Sequence, residues 1–202
     1  MSVGWPVRLA EGPVGLRPPR RRDSAAWARV RARNVDWLGP WEATSPPQES
    51  GEATIPYAAM LRRWRREARA GTMLPFFVTY EGRFAGQCNV AGITYGAFRS
   101  ASVGYWLDRA QAGQGVMPTA LALAVDHCFT VLRLHRIEVN IRPENRASRR
   151  VVEKLGFREE GMRRRMLHID GAWRDHISYA LTTEEVPDGL LRRWRSGHTR
   201  SS

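Results

Sequence analysis

Residues 111–129 read QAGQGVMPTALALAVDHCF: two glycines two apart, then a run that is apolar nearly all round. A helix apolar on every side belongs inside a protein, packed against a sheet. Its glycine-rich entry has two readings. One is a plain turn between strand and helix; the other is a cradle in which backbone N–H groups hold a phosphate. A helix N-terminus has four unpaired N–H groups and about half a unit of positive charge, so it attracts anions. Gly113 and Gly115 lack the Cβ atoms that would hold a phosphate away from the backbone. The lack of G-x-x-x-x-G-K-S/T excludes a P-loop, and the lack of G-x-G-x-x-G, with antiparallel-looking strands coming first, disfavours a Rossmann dinucleotide site.

Outward from this stretch the periodicity changes to two. MLPFFVTYEGRFAGQCNVAGITYG (73–96) predicts a hairpin turning at Glu81–Gly82, and SASVGYWLD (100–108) a further strand. After the buried helix, HRIEVNI (135–141) alternates, with Ile137, Val139 and Ile141 on one face and Arg136, Glu138 and Asn140 on the other. ASRRVVEKLGF (147–157) is a helix stopped by Gly156, and two more strands follow near 158–168 and 173–182. Toward the N-terminus, GPVGLRPP (12–19) is a short first strand. Asp23 or Ser24 caps a helix to about Asn34, with Ala26, Trp27, Val30 and Val35 as its apolar contacts, and residues 53–71 form a basic helix. The expected order is βαα–βββ–α–β–α–ββ. Residues 14–184 are read as one α/β domain, preceded by an extension (1–13) and followed by a tail with a marginal helix (185–202).

The 202 residues, 43% hydrophobic and 26% charged, describe a globular chain able to build one continuous core. No apolar run approaches the roughly 20 residues that span a bilayer. The first residues lack a signal peptide's apolar centre, so a cytoplasmic location without membrane partners is expected. Cys88 and Cys128 have no metal-ligand spacing and are read as buried thiols, and no metal is expected. The net charge of +12 invites a nucleic-acid reading. Yet Lys154 is the only lysine, and the arginine runs at 20–22, 62–69, 163–165 and 192–195 are scattered, as in solvated faces. What survives is a weak attraction to an acidic partner, a ribosomal particle or RNA.

RPENRASRRVVEKLGF (142–157), one strand after the glycine loop, resembles the acyl-CoA-binding half of the GCN5-related N-acetyltransferase (GNAT) superfamily, where N-x-x-S or N-x-x-Y opens a helix closing with L-G-F. The glycine stretch then resembles that superfamily's (R/Q)-x-x-G-x-(G/A) pyrophosphate loop. It departs from the pattern at Ala112, where Arg or Gln is usual, and at Met117, where a small residue is usual. PWE (40–42), GYWLD (104–108), PENRASRRVVEKLGFREEG (143–161) and IDGAWRDHISYALTTEE (169–185) together resemble the RimJ/RimL type of ribosomal-protein-alanine N-acetyltransferase, the RimJ side more closely.

The resemblance implies a GNAT fold: a single domain with a mixed, V-splayed central sheet and helices on both faces. It implies acetyl-CoA as co-substrate and direct transfer to an amine, with a ribosomal protein's N-terminal α-amine as acceptor. Tyr105, Trp106 and Leu107 would offer main-chain bonds to pantetheine. Gly113, Gln114, Gly115, Val116, Met117 and Pro118 would line the pyrophosphate. Asn145 is both a helix N-cap by position and a pantetheine contact by resemblance. Ser148 would protonate the departing thiolate. For the base, Glu138 on the polar strand face comes first and Glu42 second. Trp41, Trp37 and Trp173 are candidate walls of the acceptor groove, whereas His168 and His176 are read as structural. The alternatives are a GNAT enzyme acting on a small-molecule amine or another protein, and a non-catalytic ribosome- or RNA-binding module. The sequence leaves monomer and homodimer open.

Overall fold

Turn chemistry at two dipeptides sets the frame. Glu81–Gly82 and Asp170–Gly171 both have positive φ at each residue, the requirement of the tight hairpin turns whose twist matches paired strands. The computed structural model describes residues 5–46 and 55–198. Its strands are β1 (Leu9–Glu11), β2 (Val14–Arg17), β3 (Met73–Tyr80), β4 (Arg83–Thr94), β5 (Ser100–Leu107), β6 (Arg136–Ile141), β7 (Arg158–Ile169) and β8 (Ala172–Thr182). The helices are α1 (Ser24–Arg33), α2 (Val35–Leu38), α3 (Tyr57–Ala70), α4 (Val116–Thr130), α5 (Arg146–Leu155) and α6 (Leu190–His198). The strands form one sheet in the order β1-β2-β3-β4-β5-β6-β8-β7. Only β5 and β6 pair in parallel; their neighbours are antiparallel.

The pleat sorts the sheet into two faces. Phe76, Val78, Cys88, Val90, Val103, Ile137 and Val139 join α4 in the main core. The opposite face carries Phe77, packed against Trp64 and Tyr57 of α3, and Gln87, bonded to Trp27 of α1. Helices therefore cover both faces of a mixed sheet, as expected. Both cysteines are free and buried, and burial pushes the Cys88 thiol up to about 12.

Three features depart from the sequence reading. β1 adds an edge strand ahead of residue 14, through Leu9↔Leu16 pairing. α6 docks against α4 and α5, with Leu190 and Trp194 in the core, so the tail is integral to the packing. The Asp126 carboxylate on α4 accepts Leu190 N (2.6 Å) and Leu191 N (3.0 Å), which holds the α6 N-terminus where a negative charge is favoured. Val35, expected among the apolar contacts of the first helix, is 65% exposed. The helix breaks just before it, because Asn34 turns its amide into Val30 O and the Asp108 carboxylate, both at 2.8 Å.

Candidate active site

β5 and β6 pair at Ser100↔Arg136, Ala101↔Ile137 and Ser102↔Glu138, and then part. From Val103 to Leu107 β5 keeps only β4 as a partner, and β6 runs on to Ile141 paired only with β8. The splay leaves one edge of each strand with unpaired amides and carbonyls, and such groups accept a further extended segment. It opens into a cleft of about 1020 Å³. Tyr105, Trp106 and Leu107 line it, as do Gly113, Gly115, Val116, Met117 and Pro118.

Gly113 (φ +83°) and Gly115 (φ +73°) are both left-handed, and Gly115 is the N-cap of α4. No side chain caps this end of α4, whose first residues, Val116 to Pro118, line the cleft. Behind the loop, Thr119 Oγ1 donates to Gly115 O (2.9 Å), and the indole of Trp194 donates to Thr119 Oγ1 (2.9 Å). Along α5, Arg146, Arg150 and Lys154 recur every fourth residue and border the same cleft. Left-handed glycines, a bare helix N-terminus, cations and a splayed strand edge fit an elongated ligand with phosphates at one end, the shape and charge of acetyl-CoA.

Asn145 caps α5 by accepting Ser148 N at 3.0 Å. Tyr105, partly buried against the core, donates its hydroxyl to Ser148 O at 3.0 Å. Burial pushes its phenol well above the usual range, despite the opposing hydrogen bond with Ser148, so it stays protonated. The cap uses the backbone N–H of Ser148, and its hydroxyl is left to line the cleft.

Across the sheet's other face lies an aromatic chamber. Trp27, Trp37, Trp41, Trp64 and Trp106 all line the cleft. The buried Gln87 accepts both Trp27 Nε1 (3.2 Å) and Trp106 Nε1 (3.0 Å) on its Oε1. Indole N–H groups only donate, so these bonds fix the amide's orientation. Arg31 sits 5.7 Å from the Trp27 ring and 5.5 Å from the Trp106 ring, and pairs with both oxygens of Glu42. Arg142, at the end of β6, stacks on Trp41 (5.4 Å) and donates to Pro40 O (2.7 Å), tying the 39–43 segment to the sheet. On the other side, Asp108 is buried beneath α1. Burial alone would raise its carboxyl, but bonds from Arg33, Asn34 and Ala110 hold it below the usual carboxylate range.

The cleft thus brings together Ser148, Asn145, Glu42, Trp37, Trp41 and most of the expected cofactor residues. Glu138 stands apart from it, accepting Arg136 Nε and Arg163 guanidinium bonds at 2.8 Å each. Gln114 turns away to donate to Ala110 O (3.1 Å). Trp173 is 56% exposed and packs edge-on against His168. Leu107 O is already taken by Trp37 Nε1 at 3.1 Å. Residues the sequence reading did not assign to the site are Trp27, Arg31, Trp64, Gln87 and the α5 cations. A signal for Gln87 exists: GQCNV sets two amides inside an otherwise apolar strand. Of the two histidines read as structural, His168 bonds Thr44 Oγ1 at 2.8 Å, while His176 lines the cleft. Among the described residues no three His, Cys, Asp or Glu side chains gather as metal ligands would.

Splayed sheet, glycine loop and capped α5 define an acyl-CoA-dependent transferase, and residues 14–158 match the family described as Acetyltransferase (GNAT) domain. The chain belongs to that family and is an acetyl-CoA-dependent N-acetyltransferase. Its fold is similar to that of Mycobacterium smegmatis RimJ in complex with CoA-disulfide, with a TM-score of 0.91, 43% identity and 98% of each chain covered. It is 31% identical to the Escherichia coli [ribosomal protein uS5]-alanine N-acetyltransferase over 91% of this chain and 94% of that protein. It is also 43% identical to the Bacillus subtilis probable N-acetyltransferase YjcK, over 52% of this chain and 58% of that protein.

Proposed function

We propose that this enzyme acetylates the N-terminal α-amine of a protein, and that a ribosomal protein is its acceptor. The observation that carries this reading is the chamber itself. The two carboxylates that line it are tied to arginines, Glu42 to Arg31 and Glu144 to Arg142, so among the described residues the cleft offers no unpaired carboxylate to strip a proton from a lysine. An α-amine has a pKa of about 7.7–8.0, so roughly a tenth is neutral at pH 7, against about one lysine side chain in 2,500. A site with modest basicity selects the amine that is already partly neutral. The name of the E. coli relative, matched over 91% of this chain, supports the ribosomal acceptor.

In this reading the glycine loop and the α4 N-terminus hold the pyrophosphate, and Arg146, Arg150 and Lys154 attract the remaining phosphate charge. The free edge of β5 orients the pantetheine arm, and Ser148 gives its proton to the leaving sulfur. Acetyl-CoA supplies a thioester already activated for attack, so the chain's part is positioning and proton movement. A chain modifying ribosomal proteins would work in the cytoplasm, where its basic surface would favour approach to ribosomal RNA.

The test is a pair of peptides followed by mass spectrometry. A short peptide with a free N-terminal alanine should be acetylated on its α-amine. The same peptide, blocked at its N-terminus and carrying one internal lysine, should react at least about 10²-fold more slowly. Faster reaction of the lysine peptide, or of a small polyamine, would overturn the acceptor reading.

A further inference from the structure

The strands fix an unused imidazole beside the acceptor chamber. β6 and β8 pair Asn140 with Ser178 and Ile141 with Ile177, and Ser178 Oγ donates to Asn140 Oδ1 at 2.6 Å. Alternation along β8 places His176 on the same face as Ser178, and therefore with Asn140, Trp106 and Gln87 rather than with the α4 core. His176 is 3% exposed and lines the cleft together with Trp41, Glu42 and Arg142.

Its tautomer follows from one bond. Nδ1 lies 3.0 Å from the carbonyl oxygen of Arg174. A carbonyl only accepts, so Nδ1 carries the proton and, in the neutral ring, Nε2 carries the lone pair. Among the described residues no hydrogen bond engages Nε2. We propose that His176, through Nε2, is the group that takes the surplus proton from the acceptor amine.

This rests on the amine-acetylating reading above and supplies the base it lacks. Both carboxylates expected in that role are bound to arginines: Glu42 to Arg31, and Glu138 to Arg136 and Arg163. Protonating either would break a charge-assisted bond. His176 has no such bond to lose. The charged groups around it are Arg142 just after β6, Glu144 beyond it, Arg163 opposite on β7, and Arg174 and Asp175 beside it on β8. Burial, aided by Arg142, holds the imidazole below its ordinary 6.5 against the weaker pull of the Arg174 carbonyl, Glu144 and Asp175. The ring is neutral at pH 7 and ready to accept.

The step balances. The amine lone pair forms the C–N bond to the acetyl carbonyl carbon while the C–S bond breaks, its electron pair staying on sulfur. Sulfur takes the Ser148 proton, and the N–H proton of the attacking amine moves to Nε2. The imidazolium then returns a proton to solvent, which also restores Ser148.

The test uses the full chain with the free-alanine peptide. His176→Gln should lower kcat/KM at pH 7 by at least about 10²-fold and remove the part of the acid limb that lies below pH 6.5, leaving the limb set by the peptide's own α-amine. Its affinity for acetyl-CoA, read by calorimetry, should stay within about twofold of wild type. Independently of turnover, nitrogen-15 NMR of wild-type imidazoles should show His176 protonated at Nδ1 and titrating below 6.5. A His176→Gln rate within a few-fold of wild type with that part of the acid limb retained would overturn the proposal. An Nε2–H tautomer would do the same, and this reading stands even where the variant misfolds. If wild type leaves the free-alanine peptide untouched, the acceptor reading falls, and the NMR tautomer alone decides for or against His176.

Discussion

The indole N–H of Trp194 on α6 donates to Thr119 Oγ1 on α4 at 2.9 Å, and Thr119 Oγ1 in turn donates to Gly115 O at 2.9 Å. Two hydrogen bonds thus connect α6 to the carbonyl of Gly115, the N-cap of α4 and part of the proposed phosphate cradle. Trp194→Phe keeps an aromatic ring but removes the indole's pyrrole edge together with the first bond. A buried hydrogen bond is worth about 0.5–1.5 kcal/mol. The melting temperature should fall by about 2–5 °C, and acetyl-CoA affinity by several-fold as the loop loses its brace. Calorimetry beside a thermal scan separates the two. Lost stability with unchanged affinity would confine Trp194 to packing.

Gly115 itself offers a sharper test of the cradle. At φ +73° a β-branched residue is strained, and its Cβ would also stand 3.6 Å from Trp194 Cζ2. Gly115→Val should weaken acetyl-CoA binding at least about tenfold, which is about 1.4 kcal/mol. Gly113→Ala meets no neighbouring atom within 4 Å, so any loss there reports backbone conformation alone. Unchanged affinity in a folded Gly115→Val variant would remove the phosphate assignment.

The elements that depend on local chemistry were readable from the sequence. The dipeptides Glu81–Gly82 and Asp170–Gly171 announce their turns, and Gly71 and Gly156, both left-handed, announce two helix ends. Non-local choices were not readable. Nothing in β5 or β6 alone says that pairing stops after Ser102 and Glu138; the splay was expected through family resemblance. α6 looked marginal because arginines surround its two anchors, Leu190 and Trp194, and its acidic clamp, Asp126, is 64 residues from Leu190. His176 could be placed beside the chamber only by the β6–β8 register, which one chain of letters does not give. Glu138 shows the converse: Arg136, two residues earlier on the same strand face, already suggested the ion pair that occupies it.

A pH dependence of stability follows from Glu160 on the exposed edge strand. The Arg136 guanidinium, chiefly, with Arg158 beside it, holds its carboxyl down to about 2 from an ordinary 4.5, against the opposing effect of burial. A carboxylate depressed on folding stabilises the fold above its unfolded pKa, and that contribution fades as pH falls through the folded one. Glu160→Gln should therefore melt below wild type at pH 7, with the gap narrowing from about pH 4.5 downward and closing near pH 2. Thermal scans at pH 7, 5 and 3 test this. An equal gap at pH 7 and pH 3 would mean that Glu160 acts through packing rather than charge.

The assignment of Ser148 turns on which atom of the residue does what. Its N–H is bound by the Asn145 cap and its carbonyl by Tyr105, both at 3.0 Å, and neither contact needs the hydroxyl. Ser148→Ala should therefore leave α5 and the cap intact. A leaving thiol has a pKa near 8.5, so one nearby hydroxyl gives useful but not indispensable assistance. We expect kcat to fall by roughly 10²-fold with the KM for acetyl-CoA nearly unchanged, the signature of a contact made in the transition state. The rival donor is the Tyr105 hydroxyl, which is already committed to Ser148 O and held protonated by its surroundings. Tyr105→Phe should accordingly cost far less turnover than Ser148→Ala, its main effect being stability lost with a buried bond. If steady-state kinetics instead show Tyr105→Phe matching or exceeding the Ser148→Ala loss, the proton reaches sulfur from the tyrosine, and Ser148 is left with its carbonyl as its contribution.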